Sequence, residues 1–150
     1  MHLPHVTPFS DSPIYFFTAC VAGRKPLLAG EDALRILSEV WRNSAAHDDW
    51  YVGRFMLMPD HVHFFARSAR EAKTRAEWCK AWKSISSRRI IKALNTSPPI
   101  WQADTFDHIL RSADSYSEKW EYVSANPVRA GFVAKAELWP WQGEIHNLKF

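Results

Sequence analysis

The chain has 150 residues, 47% of them hydrophobic, and its 19 basic and 16 acidic side chains give a net charge of +3. This length predicts one domain, residues 1–150, with a core of its own. The two cysteines belong to no paired motif, which argues against a zinc ribbon or a disulfide scaffold. Without a signal-peptide pattern or a membrane-spanning apolar run, we expect a soluble, cytoplasmic protein with no membrane partner.

The N-terminal third of the chain predicts an arm, a strand and a helix. Residues 1–13 hold three prolines and no periodicity, which is typical of an extended arm. Residues 14–21 are rich in aromatic and β-branched side chains and predict a strand. Residues 32–43 repeat apolar side chains at intervals of three and four, the spacing of an amphipathic helix.

A hairpin with two histidines follows. Residues 51–58 predict one strand, and the strand that begins at His61 is separated from it by a Pro-Asp turn. Because side chains alternate between the two faces of a strand, His61 and His63 lie on the same face and are able to share a metal ion. The alternative is that both are merely polar residues on a half-exposed strand.

The next stretch is strongly basic. Between residues 67 and 92 there are nine Lys or Arg and two Glu, a local excess of seven positive charges. Within it, the apolar spacing from about 74 to 94 predicts a helix. A basic surface with interleaved aromatic rings is typical of proteins that bind single-stranded nucleic acid, so Trp78 and Trp82 are candidates for base stacking. The alternative is a solvated helix face whose tryptophans turn to the core.

Lys83 and Ser87 are one helical turn apart in this predicted helix. A cation and a hydroxyl on one face suit a phosphate. After a break at residues 95–99, the run 106–111 predicts a last strand.

The final predicted helix carries a phenol and an amide. It begins near residue 114 and ends at about Asn126, since Pro127 disfavours helical geometry in the residue before it. Tyr122 and Asn126 are four residues apart and therefore share a face. If that face covers the histidine strand, a nucleophile and a third metal ligand join the pair. Alternatively, Tyr122 is a half-buried aromatic and Asn126 simply ends the helix.

Several motifs occur together in an order that is similar to that of a known family. The first resembles the His-hydrophobic-His (HUH) signature of single-strand nicking enzymes, and the set as a whole resembles the transposases with one catalytic tyrosine, in particular those associated with repetitive extragenic palindromes (REP). The similarity covers about residues 14–143 and leaves a short tail at 144–150. The motifs are Met58-Pro-Asp-His-Val-His63, Trp82-Lys-Ser-Ile-Ser-Ser-Arg88, Trp101-Gln102, Phe106-Asp-His-Ile-Leu-Arg111, Glu118 through Tyr122 to Gly131, and Trp139-Pro-Trp-Gln-Gly143.

This resemblance implies an α+β fold of the ferredoxin-like type, an antiparallel sheet with helices packed on one face and the catalytic helix near the C-terminus. The predicted order of strand, helix, two strands, helix, strand, helix agrees with it. By the resemblance, His61 and His63 are metal ligands, Tyr122 is the nucleophile and Asn126 is the third ligand.

The activity implied is a divalent-metal-dependent single-stranded DNA endonuclease and strand transferase, with Mg²⁺ or Mn²⁺ as cofactor. It nicks and rejoins DNA next to palindromic hairpins through a 5′-phosphotyrosine, as a nucleoid-associated monomer or homodimer. The rivals are a non-catalytic ferredoxin-like nucleic-acid-binding module and a phosphoesterase that uses water instead of tyrosine. The DNA-binding candidates are Trp82, Lys83, Ser87, Arg88, Arg89 and Arg111.

Overall fold

The structure, a computed structural model, describes residues 12–150, so all but the last two residues of the predicted N-terminal arm lie outside the described part. Within that part, no helix has both the length and the apolar character that crossing a membrane requires. The elements are β1 (Ile14–Val21), α1 (Glu31–Asp48), β2 (Trp50–Met58), β3 (His61–Ser68), α2 (Arg75–Leu94), β4 (Trp101–Leu110), α3 (Ala113–Ser124), the short α4 (Asn126–Arg129) and β5 (Gln142–Glu144).

The strands form one antiparallel sheet in the order β4-β1-β3-β2-β5. The first four have the ferredoxin-like order, which confirms the predicted α+β class. Strand β3, with the two histidines, is paired on both sides. Strand β5 was not predicted, and it extends the sheet where Gly143 lets it approach β2: a Cβ there would lie 2.9 Å from a ring carbon of Phe55.

Two helices cover one face of the sheet. Strand alternation points Phe17 and Phe64 toward α1 and α2, where they meet the fully buried rings of Trp41, Trp78 and Trp82. Helix α2 begins with a capping box in which the Glu77 N–H donates to Thr74 Oγ1 (3.2 Å) and the Thr74 N–H donates to Glu77 Oε1 (3.0 Å). The predicted helix at 74–94 is therefore confirmed.

The third long helix lies on the opposite face. The side chains of β1 and β3 that point to this face include the apolar Phe16 and Phe65. Helix α3 packs on them through Val123 and Tyr116, and the Tyr116 ring centroid is 4.5 Å from that of Phe65. The expected placement of helices on one face therefore holds for α1 and α2 but not for α3. Helix α3 ends before Pro127, as predicted, and Pro127 sits in the first turn of α4.

Candidate active site

The two histidines of β3 meet on the α3 face of the sheet. Their ring centroids are 4.9 Å apart and their planes are inclined by 78°. His63 Nδ1 is 2.8 Å from Thr18 Oγ1 on the neighbouring strand, and His61 Nδ1 is 2.8 Å from Asp60 Oδ1 in the turn. Because each Nδ1 is already engaged, Nε2 is the nitrogen that each ring has left for a metal ion.

His63 is held in its neutral form. Its ring stacks on Phe16 with centroids 5.3 Å apart and planes inclined by 19°. Burial, together with the charges of His61 and Lys119, lowers the pKa of His63 to about 4. At neutral pH this imidazole therefore keeps the lone pair that metal binding needs.

Helices α3 and α4 bring the other two predicted site residues to the histidines. Tyr122, whose side chain is 64% exposed, and Asn126 line the same cavity as His61 and His63. The structure therefore places all four predicted catalytic and metal-binding residues around one space. This cavity has a volume of about 580 Å³ and is completed by Phe16, Met58, Lys119, Val123, Arg129 and Ala130.

Arg129 connects the tyrosine to the asparagine. Its guanidinium carbon lies 3.9 Å from the centroid of the Tyr122 ring, and Nη2 donates to the Tyr122 carbonyl oxygen at 2.9 Å and also to Asn126 Oδ1. Arg129 thus contacts both the helical turn that carries Tyr122 and the amide of Asn126. The sequence prediction missed Arg129, although its position three residues after Asn126 in a helical segment was a usable signal.

The donor atoms that this cavity offers to a divalent ion are of two kinds, imidazole nitrogen and amide oxygen. Among residues 12–150 there is no group of three or more His, Cys, Asp and Glu able to hold a metal. Two imidazoles and one amide oxygen remain, a set that suits Mn²⁺ and accepts Mg²⁺ if solvent or DNA oxygens complete the shell. The amide oxygen of Asn126 is engaged by Arg129 and would have to exchange that partner for the ion.

The predicted stacking role of the tryptophans of α2 is wrong. Trp78 and Trp82 are 0% and 1% exposed. The Trp82 ring packs edge-on against Trp41, Phe64 and Trp101, at centroid distances of 5.6, 5.5 and 5.2 Å. A base cannot stack on either ring, because core side chains on this side of the sheet enclose both. Burying so much apolar area is a main driving force of folding.

Lys83 is occupied within the fold. Its ammonium donates to the carbonyl oxygens of Gln102, Ala103 and Asp104 at 2.9, 3.3 and 3.2 Å, and burial lowers its pKa. All three ammonium hydrogens have acceptors, so Lys83 anchors the start of β4 instead of presenting a free cation. Ser87 lines the same groove, about 1160 Å³ in volume, between α2 and β4.

The charge of the basic stretch is partly neutralised by acids from other elements. Lys73 pairs with Asp48, Arg89 pairs with Glu39 of α1, and Arg75 Nε lies 3.4 Å from an oxygen of Asp107. Net charge counted along the sequence therefore overstates the positive potential of this helix.

Arg88 and Arg111 are the exposed arginines among the DNA-binding candidates. Arg88 on α2 donates to Ser84 Oγ at 2.9 Å and lies on the other side of the sheet from the histidines. Arg111 lines a cavity of about 430 Å³ that shares Lys119 and Tyr122 with the histidine cavity. Of the predicted DNA contacts, Arg111 is the one placed beside the candidate active site.

Comparison with known solved structures finds the same fold. A tyrosine transposase described as bound to a REP hairpin aligns over 95% of this chain and 81% of its own, with a TM-score of 0.68 and 18% identity. A candidate transposase from Deinococcus radiodurans aligns over 82% of this chain and 95% of its own, with a TM-score of 0.57 and 17% identity.

Sequence comparison identifies the family. A protein assigned to the REP-associated tyrosine transposases in Haemophilus influenzae is 21% identical over 94% of this chain and 85% of its own length. The REP-associated tyrosine transposase of Escherichia coli is 22% identical over 60% of this chain and 52% of its own length. The model of the family described as "Transposase IS200 like" matches residues 11–121, which includes both histidines and stops one residue before Tyr122. The chain therefore belongs to the IS200-like transposase family, as its motifs predicted, and is an enzyme that nicks and joins DNA.

Proposed function

We propose that this protein is a metal-dependent single-stranded DNA endonuclease and strand transferase that works next to palindromic hairpins through a 5′-phosphotyrosine intermediate. The observation that carries the proposal is the cavity shared by His61, His63, Tyr122 and Asn126. The tyrosine and the asparagine come from one end of the chain and the histidines from its middle, so a common cavity is not a product of sequence proximity.

The residues that would hold Mg²⁺ or Mn²⁺ are His61 and His63 through Nε2 and Asn126 through Oδ1. When bound, such an ion polarises a phosphate oxygen and orients the scissile bond. Asp60 and Thr18 fix the imidazole orientations through the two Nδ1 contacts, which supports this assignment because metal-binding histidines commonly have such a partner.

Tyr122 is the nucleophile in this proposal. Its phenol oxygen attacks phosphorus, the new bond joins that oxygen to phosphorus, and the bond from phosphorus to the 3′ oxygen breaks. The phenol gives up one proton to solvent and the departing 3′ oxygen takes one up. A phosphodiester replaces a phosphodiester, so rejoining needs no ATP. The high exposure of Tyr122 supports this role because a DNA strand is able to reach it.

The substrate we propose is single-stranded DNA that flanks a hairpin. The histidine cavity is open at the surface between α3 and the sheet, and the adjoining cavity extends it to Arg111, our candidate contact for the cleaved strand. Ser87, Arg88 and Arg89 are on the opposite side of the sheet and are candidates for the hairpin stem. The solved relative bound to a REP hairpin motivates the choice of a palindromic substrate.

The test is covalent capture. The protein is incubated with single-stranded oligonucleotides bearing palindromes, with Mn²⁺ or with chelator, and a denaturing gel is read for a protein-DNA conjugate. We expect a conjugate only with metal, its loss in Tyr122→Phe, and hairpin binding nearly unchanged in that variant. Tyr116→Phe, on the same helix but turned toward Phe65, is the matched control and keeps the conjugate.

Other results would point elsewhere. A conjugate in Tyr122→Phe would remove this residue from the mechanism. Metal-dependent nicking by Tyr122→Phe without a conjugate would indicate a phosphoesterase that uses water. Binding that chelator leaves unchanged, with no cleavage by the wild-type protein, would indicate a non-catalytic module.

A further inference from the structure

Lys119 is a second functional group on the tyrosine helix. It precedes Tyr122 by three residues in α3, so both side chains lie on the same face. Both line the histidine cavity and the adjoining cavity that reaches Arg111. Lys119 therefore stands where these two spaces meet, next to the proposed nucleophile.

The ammonium of Lys119 points inward without a charged partner. It lies 5.1 Å from the centroid of the Phe16 ring, the same ring that stacks on His63. Among residues 12–150 no carboxylate lies within ion-pairing distance of it and no hydrogen bond satisfies it. Its charge also reaches His63, where it adds to the lowering of the imidazole pKa.

The histidine cavity has no acid to balance this charge. Its lining contains Lys119 and Arg129 but neither Asp nor Glu. Glu118 lines the adjoining cavity and forms no ion pair with Lys119. Arg129 already donates to a carbonyl and an amide oxygen, whereas Lys119 has no acceptor. An ammonium held in a partly enclosed space without a counter-charge suits an anionic ligand, and the anion that the reaction brings beside Tyr122 is the scissile phosphate.

We propose that Lys119 is a catalytic residue that binds a non-bridging oxygen of the scissile phosphate from the side of α3; this assignment rests on the proposed function. Its role is electrostatic. While the tyrosine-phosphorus bond forms and the bond to the 3′ oxygen breaks, negative charge builds up on the non-bridging oxygens, and the fixed ammonium stabilises that charge. Lys119 gains and loses no proton in the step.

The experiment measures single-turnover conjugate formation at saturating oligonucleotide and saturating Mn²⁺. We expect Lys119→Met to slow the reaction by about 100-fold, the usual effect of removing one charge-stabilising donor, and to change oligonucleotide affinity much less. Lys119→Arg retains most of the rate because the positive charge remains. Lys92→Met, which removes an exposed lysine of α2 on the other side of the sheet, is the matched control and leaves the rate unchanged.

A substrate with an uncharged methylphosphonate at the scissile position separates a charge interaction from a structural effect. If Lys119 acts on the phosphate charge, the difference between wild type and Lys119→Met becomes small on this substrate. An equal defect on both substrates, or a Lys119→Met variant as fast as wild type while Tyr122→Phe is inactive, overturns the role of Lys119 and leaves the proposed function intact. No conjugate with wild-type protein overturns both.

Discussion

The face of the sheet beneath α1 and α2 encloses four fully buried tryptophans, whereas the face beneath α3 carries two histidines, an exposed tyrosine and an open cavity of about 580 Å³. Both faces are made by the same strands, with alternate residues of β1 and β3 pointing to each. The groups that we propose to be catalytic or metal-binding thus occupy the more loosely covered side of the sheet. The tryptophans and many of the charged side chains of α2, which suggest DNA binding in the sequence, instead pack or form contacts within the fold on the side of α1 and α2.

The largest effect we expect is on the open face. Replacing His61 and His63 together by Ala removes both of the proposed imidazole ligands. If the proposed function is right, this should reduce nicking by about 10³-fold or more, as expected when the main electrostatic support of a reaction is lost. Conjugate formation over a Mn²⁺ titration measures it. His47→Ala, an exposed histidine of α1, is the control. Unchanged nicking in the double variant would exclude the metal role of the pair.

The next effect concerns the packed face. Trp82→Ala should lower the free energy of unfolding by about 3–5 kcal/mol, because it leaves a large cavity between α2 and the sheet. Phe106→Ala, whose side chain is 60% exposed, should change it by about 0.5 kcal/mol or less. Denaturant unfolding measures both. If Trp82→Ala were as stable as wild type but bound DNA more weakly, the two faces would have been assigned the wrong way round.

His63 should make the protein sensitive to mild acid. Its pKa is about 4 in the folded protein, against an ordinary value of 6.5, so between these values the unfolded chain binds the proton more readily. The contribution is fully present above pH 6.5 and is lost as the pH falls toward 4, up to about 3 kcal/mol in total. Unfolding measured with chelator should show a flatter pH dependence in His63→Gln. An unchanged dependence would mean that other groups set it.

The smallest effect concerns the support of the ligands. Asp60→Asn weakens the hold on His61 Nδ1, and loss of such a partner typically reduces metal affinity by about 10–100-fold. We therefore expect the Mn²⁺ concentration for half-maximal nicking to rise by that factor while the maximal rate changes less. Asp32→Asn, an exposed ion pair with Arg35 on α1, is the control. An unaltered Mn²⁺ requirement would make the contact with Asp60 irrelevant to the site.

Much of the fold follows from local patterns in the sequence. The bounds of β1 and the start of α2, where Thr74 is the N-cap, agree with the prediction because enrichment in aromatic and β-branched residues and helical apolar spacing are local signals. The shared face of His61 and His63 follows in the same way from strand alternation. Strand β5 was missed because three residues show no periodicity, and its position depends on a close approach of Gly143 to Phe55.

The placement and roles of side chains near the site were harder to predict where contacts between distant parts of the chain determine them. Periodicity shows that α3 has an apolar side but not which face of the sheet it covers. Trp82 was assigned to DNA by composition, although it shares an apolar stripe with Trp78 and Ile90 that indicated the core. The engagement of Lys83 by three carbonyls is set by β4, about twenty residues away, and no local pattern reports it.

The strand and the helix that meet at the cavity are anchored to very different degrees. Strand β3 is bonded to a neighbour along both edges, and the side chains next to its histidines are buried. Helix α3 has Val123 as its one fully buried residue. A DNA end joined to Tyr122 would therefore be attached to α3, which is less firmly packed than β3. In the proposed reaction, a displacement of α3 would move Tyr122 together with Asn126, which follows it at the start of α4, while His61 and His63 stay in place on β3.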